Sequence, residues 1–320
     1  MKVYIKTPAR LHLGLIDLNG ELGRMFGGLG VGIDHPNVIV EAEQSHGLSI
    51  EGQEIELVKA LANRFFTVYH IQPNFHINVK ETIPQHVGLG SGTQISLAVA
   101  VALAKLSNVQ ASVQELTFAM NRARRTGVGT AIFQHGGFVV DGGKAITEPN
   151  EPAKFPPLIY RQSFPTQWRF IVAIPNLIQG LSNSQENHAF DRLAKMQTEE
   201  VGKICRLTML KLLPALTEVD IKNFGEALTS IQEVIGGYFA QVQGGKFSRT
   251  DVEDTVDFIR KIGVYGVGQS SWGPALYGVI KQEDAKQVLE KVRAYLNKNA
   301  GGEAFIAKAN NKGATVKLVK

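Results

Sequence analysis

The chain has 320 residues, 44% hydrophobic and 20% charged, with a formal net charge of +5. That is enough for one large or two medium domains with their own cores, and the mild positive charge contains no lysine or arginine run of the kind found in nucleic-acid arms. A single cysteine, Cys205, excludes an internal disulfide and reads as a buried structural thiol within an apolar helical stretch.

Taken in chain order, residues 2–7 (KVYIKT) alternate and read as a strand, as do Val38–Ala42 and Phe75–Val79. Between the last two, Ile55–Tyr69 carries Leu57, Leu61, Phe65 and Val68 at helical spacing. The glycine-rich run at 88–92 opens a helix over roughly 93–106. Its apolar part, Ile95–Leu106, is shorter than the roughly 20 residues a membrane span needs. A second helix is predicted over 112–125, starting at Ser112 with Glu115 three positions on, a capping-box pattern. On that helix Arg122, Arg124 and Arg125 spread over more than one face, and Arg125 reads as a solvated residue. Phe138–Asp141 is a short strand before two glycines, and the proline-rich stretch 147–165 is a linker. Then come a strand at Trp168–Ile174, a long helical region at Gln185–Leu213, and helices at Ile221–Ile235 and Asp251–Ile262. Ala275–Ile280 reads as a strand, Asp284–Leu296 as a helix and Ala304–Ala307 as a final strand. The N-terminus enters a strand directly, with no signal-peptide apolar region, so the cytoplasm is the expected location and no membrane partner is expected.

Three segments carry chemistry. Pro84–Gln94 (PQHVGLGSGTQ) places three glycines before a helix, where backbone N–H groups and the helix N-terminus can hold a phosphate or diphosphate. A plain strand-to-helix turn with Ser91 as N-cap explains the same residues. No GlyLysSer/Thr follows, so it is not a Walker A loop. Near the start, Arg10 and His12 sit two apart on an extended segment and project to one face, where they either meet an anionic group or form a solvated edge. Asp17 and Asn19 lie in a turn that turn chemistry alone explains. Late in the chain, Gly266–Ala275 (GVGQSSWGPA) is a hairpin signal, with Gln269, Ser270 and Ser271 at a loop able to close over a ligand. His135 either faces a pocket or packs at a strand end, and Asp141 before two glycines reads as a turn residue. His70, His86 and His188 lack zinc-ligand spacing.

Together, Pro8–Gly20 (PARLHLGLIDLNG), the 88–94 run and the late GVGQSSWGPALYG segment occur in the order and spacing of the three motifs of the GHMP kinase superfamily. The chain resembles most closely a branch that is not kinase-like, the beta-ribofuranosylaminobenzene 5'-phosphate synthases of methanopterin biosynthesis. The residues that carry this resemblance are 8–20, Arg24 with Gly27–Ile33, 88–94 and Gly127–Gly143. The resemblance implies an α+β, GHMP-kinase-like two-domain fold, with an N-terminal domain of ribosomal-protein-like α/β type over 1–160 and a ferredoxin-like C-terminal domain over 161–320. It implies an enzyme that joins 4-aminobenzoate or 4-hydroxybenzoate to phosphoribosyl pyrophosphate, releasing carbon dioxide and pyrophosphate. No organic cofactor is implied. Gly88, Leu89, Gly90, Ser91, Gly92, Thr93 and Gln94 would bind the diphosphate, with Mg²⁺ at Ser91 or Thr93. Arg10, His12 and Arg24 would hold anionic ends, and Asp17 would offset positive charge or bind metal. A homodimer is expected by the same resemblance, and no nucleic acid. In mevalonate-kinase-like members an aspartate precedes a GlyGly pair at fixed spacing; aligned on Gly136-Gly137, Gly129 stands in its place. Losing a positioned base costs about 10²–10⁴-fold, which disfavours phosphoryl transfer. A GHMP small-molecule kinase and a non-catalytic metabolite- or RNA-binding module are the alternative readings.

Overall fold

The computed structural model describes residues 1–148, 151, 153–176, 188, 190, 192–243, 245–247 and 250–319. Its scaffold begins with two long strands, β1 (Lys2–Asp17) and β2 (Arg24–Gln44), paired antiparallel over most of their length. Both extend well past the short strands read from alternation, because their inner halves are buried on both faces and lose the period-2 signature. The path continues through β3 (Ser49–Gly52) and β4 (Phe75–Glu81), in the order β12-β1-β2-β4-β3, where β12 is Thr315–Val319. The last strand, which alternation did not reveal, thus returns to the first sheet beside the N-terminus. A further run of β2 pairs β5 (Phe138–Asp141), which pairs β7 (Leu158–Gln162), while β6 (Lys144–Ala145) also pairs β2. Part of the proline-rich stretch expected to be a linker is therefore the edge strand β7.

Helix α1 (Ile55–Tyr69) has the bounds its periodicity predicts, burying Val58, Leu61, Ala62, Phe65 and Phe66. Helix α2 (Ser91–Leu106) is buried along nearly its whole length, as befits a helix apolar on every side. Helix α3 (Val113–Ala119) keeps the predicted capping box, with Ser112 and Glu115 bonded reciprocally. It stops six residues short of the expected end, because Asn121 and Ala123 take left-handed backbone angles (φ 56 at each) that no α-helix continues. Helix α4 (Val128–His135) was not foreseen; it places His135 exposed at a helix end rather than packed at a strand end.

The second sheet is β8 (Trp168–Ile174), β9 (Gly266–Gln269), β10 (Leu276–Lys281) and β11 (Glu303–Ala307), all antiparallel and ordered β11-β8-β10-β9. Numbered within the sheet, that order is 4-1-3-2, the ferredoxin-like arrangement expected. One face packs on α8 (Thr250–Lys261) and α9 (Ala285–Lys298) through Ile171, Val256, Ile259, Leu276, Val292 and their neighbours. The other face supplies Phe170, Val172, Tyr277 and Val279 to the main core, which also holds α7 (Ile221–Gln243) and the strands of the first sheet. Mixed helices and strands in two sheets make the fold α+β.

The expected helix over Gln185–Leu213 lies partly outside the described residues. Its described part is α5 (Thr198–Leu207), a π-turn at Thr208–Leu212 and α6 (Leu213–Thr217), the last continuing through Pro214 because proline is tolerated in a first turn. Cys205 is half-buried rather than buried, and burial raises its thiol pKa, which keeps it protonated and unreactive. No helix among the described residues is long and apolar enough to cross a membrane.

Candidate functional site

The glycine run before α2 forms one wall of a cleft. Helix α2 has Gly90 as its N-cap at φ 80, and no side chain caps its first-turn amides. The contrast with the side-chain-capped α3 matters: Ser91 does not serve as N-cap, so the first amides of α2 remain available to an anion. The turn is tied from two sides. The Arg10 backbone N–H donates to Leu89 O (3.0 Å), and Arg10 Nη1 donates to Gly88 O (2.6 Å). Ser270 Oγ donates to Gly88 O (2.7 Å), and the Ala275 N–H donates to Val87 O (3.0 Å). Strand β1 and the β9–β10 hairpin therefore fix the position of the turn.

The opposite wall is the loop 120–126. Because α3 ends early, Arg122, Arg124 and Arg125 leave the helix and line a chamber of about 470 Å³ with Arg10, Arg64, His86, Gly88, Gly90, Ser91, Gly92 and Thr93. No carboxylate lines it among the described residues. Arg122 Nε donates to Ser96 Oγ (3.0 Å), whose hydroxyl donates to Gly92 O (2.6 Å), so this guanidinium is locked against the glycine turn. Burial, then the charges of Arg124 and Arg64, lowers the Arg122 pKa from its usual value. Crowded positive charge at a helix N-terminus is relieved by a polyanion, which makes the chamber a candidate anion site.

A second chamber of about 160 Å³ adjoins the first. Its wall is aromatic: Phe190, Phe239 and Trp272 form a mutual edge-to-face set with centroids 4.8–5.6 Å apart, and Phe247 closes beside them. Arg125 stacks on Phe190, its guanidinium carbon 4.2 Å from the ring centroid. The polar lining includes Arg10, His12, Gln232, Gln243, Lys246 and Gln269. Gln232 is spent on structure, donating to Leu13 O (2.8 Å) and accepting from the Gln269 N–H (2.9 Å). Five residues line both chambers: Arg10, Arg125, Thr126, Ser271 and Trp272.

The structure thus sorts the residues singled out from sequence. Arg10 and His12 share a face of β1 and both enter the aromatic chamber. His12, however, is 8% exposed, and burial, then the charge of Arg10, lowers its pKa to about 3. A neutral imidazole does not hold an anion by charge, so of the two side chains only Arg10 could do so. Asp17 and Arg24 line neither chamber. Asp17 Oδ1 accepts from the N–H groups of Asn19 (2.7 Å) and Gly20 (2.9 Å), a turn role, while Arg24 donates to Gly142 O (2.7 Å) and Gly143 O (2.6 Å). Gly88, Gly90, Ser91, Gly92 and Thr93 line the anion chamber, but Leu89 is buried in the core and Gln94 donates to Gly129 O (2.9 Å). Of the hairpin residues, Ser271 lines both chambers and Gln269 the aromatic one, while Ser270, fully buried, accepts the His12 N–H (2.9 Å). Asp141 is buried, accepting from the N–H groups of Gly127 (2.9 Å) and Gly143 (2.8 Å), and burial raises its pKa to about 6. A Cβ at Gly129 would meet Thr93 Cγ2 at 2.9 Å, so position 129 abuts a residue lining the chamber and brings no carboxylate there.

Sequence reading missed Arg125 and the aromatic wall. The signal for Arg125 was its place in a three-arginine run, visible only once α3 is known to end at Ala119. Phe190, Phe239 and Phe247 carry no local pattern, and Trp272 sits within the GVGQSSWGPA segment, where only Gln269, Ser270 and Ser271 were singled out.

The profile described as the GHMP kinases N terminal domain matches residues 56–137, and that described as GHMP kinases C terminal matches residues 212–298. A beta-ribofuranosylphenol 5'-phosphate synthase from Methanothermobacter thermautotrophicus is 33% identical over 300 residues, spanning 88% of this chain and 90% of that protein. One of the same name from Archaeoglobus fulgidus is 32% identical over 326 residues, spanning 98% of this chain and 99% of its own. Among solved structures, Streptococcus pneumoniae phosphomevalonate kinase superposes with a TM-score of 0.72 over 97% of this chain and 100% of its own, at 14% identity. That likeness speaks for the fold.

Proposed function

Since the chain belongs to the family of beta-ribofuranosylphenol 5'-phosphate synthases, a family of enzymes on the GHMP-kinase fold, we propose that it joins a 4-substituted benzoate to phosphoribosyl pyrophosphate, with loss of carbon dioxide and pyrophosphate, as a step of methanopterin biosynthesis. The observation that carries this reading is the meeting of an arginine- and glycine-lined chamber with a ring-sized aromatic one across Arg10, Arg125, Thr126, Ser271 and Trp272. A kinase needs a hydroxyl beside its phosphates. Here the phosphate site opens onto a pocket for a planar ring.

The chemistry follows from that geometry. Cleaving the bond between the sugar and its diphosphate builds negative charge on the departing group. The first amides of α2, with Arg122 held against Gly92 through Ser96, are placed to receive it without reorganising. The sugar carbon is met at the junction, where the electron-rich ring attacks through its carboxylate-bearing carbon. Phe239, Trp272 and Phe190 hold the ring in plane and keep water from the sugar cation. The names of the relatives specify a phenol product, which supports 4-hydroxybenzoate as acceptor ahead of 4-aminobenzoate.

For Mg²⁺ the anion chamber supplies the hydroxyls of Ser91 and Thr93 and, among the described residues, no carboxylate. Mg²⁺ sites use one or two carboxylates together with substrate phosphates. This donor set does not make a resident site, and we assign the ion to the incoming diphosphate as part of the substrate.

The test is stoichiometric. Purified protein given phosphoribosyl pyrophosphate and carboxyl-labelled 4-hydroxybenzoate releases labelled carbon dioxide and pyrophosphate in equal amounts. Absence of labelled gas, with ADP formed from ATP and an alcohol, refutes the assignment in favour of a kinase.

A further inference from the structure

We propose that His12 is the catalytic base that faces the para oxygen of the acceptor ring, accepting its proton as the ring attacks the sugar and returning it after decarboxylation. This rests on the transferase reading and specifies how its acceptor site works.

The geometry carries the inference. His12 lines the aromatic chamber and not the anion chamber, whereas Arg10, two residues earlier on the same face of β1, lines both. Along a strand, positions two apart are separated by roughly 6.5 Å, a span comparable to the long axis of a para-substituted ring. A ring whose carboxylate-bearing carbon points to the junction at Arg10 therefore directs its para substituent along β1 toward His12. The pairing register of β1 with β2 shifts between His12 and Gly14, an irregularity that re-aims side chains beside a site. The His12 N–H of the backbone is taken by Ser270 Oγ, but its ring forms no hydrogen bond with any described residue. A side chain 8% exposed, polar and without a partner, turned into a cavity, is a group waiting for a ligand atom.

The step balances. As the ring carbon bonds to the sugar, the bond to the diphosphate breaks and the pyrophosphate leaves with the electron pair. The para hydroxyl becomes a protonated carbonyl, a strong acid, and its proton passes to the imidazole nitrogen. The ring is now a neutral dienone bearing both sugar and carboxylate on one carbon. The carbon–carboxylate bond then breaks, its pair restores the aromatic ring, carbon dioxide departs, and the resulting phenolate recovers the proton. Burial and the neighbouring Arg10 make His12 a weak base, which suits both halves: it accepts only from a strong acid and releases readily to a phenolate. An amino group in the same place forms an iminium, a far weaker acid that such a base does not deprotonate. The site is thereby matched to a hydroxyl acceptor.

Two measurements test this. With 4-hydroxybenzoate, His12→Gln lowers kcat by about 10²–10⁴-fold and leaves both KM values near wild type. Unchanged kcat, or a rise in KM alone, overturns the proposal. In the wild-type protein, 4-hydroxybenzoate shifts the imidazole ¹⁵N resonances of His12, and benzoate, which lacks the para oxygen, does not. Equal shifts, or none, overturn it even if the variant fails to fold. A wild-type protein that makes no product from either 4-hydroxybenzoate or 4-aminobenzoate refutes the transferase reading itself. An active wild type with an unaffected His12→Gln refutes only the base.

Discussion

Gly90→Ala tests the anion site with a single methyl group. A Cβ placed on Gly90 stands 2.7 Å from Arg10 Cγ and 3.2 Å from Arg10 Nε, and the residue has φ +80. Two costs follow. An L-residue in the left-handed region loses roughly 1–2 kcal/mol, which lowers the melting temperature by a few degrees in a chain of this size. The methyl also pushes Arg10 off its hydrogen bond to Gly88 O (2.6 Å), and so away from the chamber wall. A charge-assisted hydrogen bond from Arg10 to the bound anion is worth about 1.5–3 kcal/mol, so losing it should lower pyrophosphate affinity by roughly 10- to 150-fold. Gly47→Ala separates the two terms: Gly47 has φ +92 and nothing within 4 Å of where the added methyl would stand, so it bears the backbone strain alone. Calorimetric titration with pyrophosphate, paired with thermal melts, reads both. Wild-type pyrophosphate binding by Gly90→Ala, or an equal loss in Gly47→Ala, rules out the anion site at Gly90.

Other perturbations separate the two chambers. Arg122→Ala should raise the KM for the diphosphate donor by about 10- to 100-fold and leave the acceptor KM within error; steady-state kinetics with each substrate varied decides it. Trp272→Ala removes edge-to-face contacts with Phe190 and Phe239, worth about 0.5–1.5 kcal/mol each. Acceptor binding, followed by fluorescence or calorimetry, should weaken by roughly 5- to 100-fold while pyrophosphate binding changes less. Gly129→Asp should not create a kinase, because its Cβ meets Thr93; ATP turnover stays at background while pyrophosphate affinity drops. Asp141 adds a pH dependence. Its folded pKa, raised by burial to about 6, lies above the ordinary 3.8, so the folded state binds more protons between those values. Its contribution is therefore fully present below about pH 4 and is lost as pH rises toward 6, by up to roughly 3 kcal/mol. Denaturant melts across that window should show the slope in the wild-type protein and not in Asp141→Asn.

Much of the scaffold was legible locally. The helix at Ile55–Tyr69, the capping box at Ser112 and Glu115, and the strand at Trp168–Ile174 follow from spacing that a few neighbouring residues decide. The glycine turn was legible too, since an uncapped helix start needs only Gly90 and its neighbours. The site's other half was not. The 112–125 segment has helical composition throughout, yet left-handed Asn121 and Ala123 turn it into a loop, and only then do Arg122 and Arg125 face the glycine run. Helix α4 starts at Val128-Gly129-Thr130, residues of low helix propensity, and is held by tertiary contacts such as Gly127 N–H to Asp141. Strand β12 pairs with β1 across nearly the whole length of the chain, a contact no local window contains. The neutrality of His12 depends on burial, which alternation suggested only for its neighbours Leu11 and Leu13. Asp17 and Arg24 show the converse: a chemically apt pair on a matching segment, used here for a turn and for the Gly142-Gly143 backbone.

The most direct measurement is a crystal structure of the protein with pyrophosphate and 4-hydroxybenzoate bound together. Phosphate oxygens are expected on the first amides of α2 and on Arg122, the ring between Phe239 and Trp272 with its carboxylate toward Arg10, and the para oxygen on His12. A ring bound outside the aromatic chamber, or pyrophosphate bound away from residues 88–93, would contradict it.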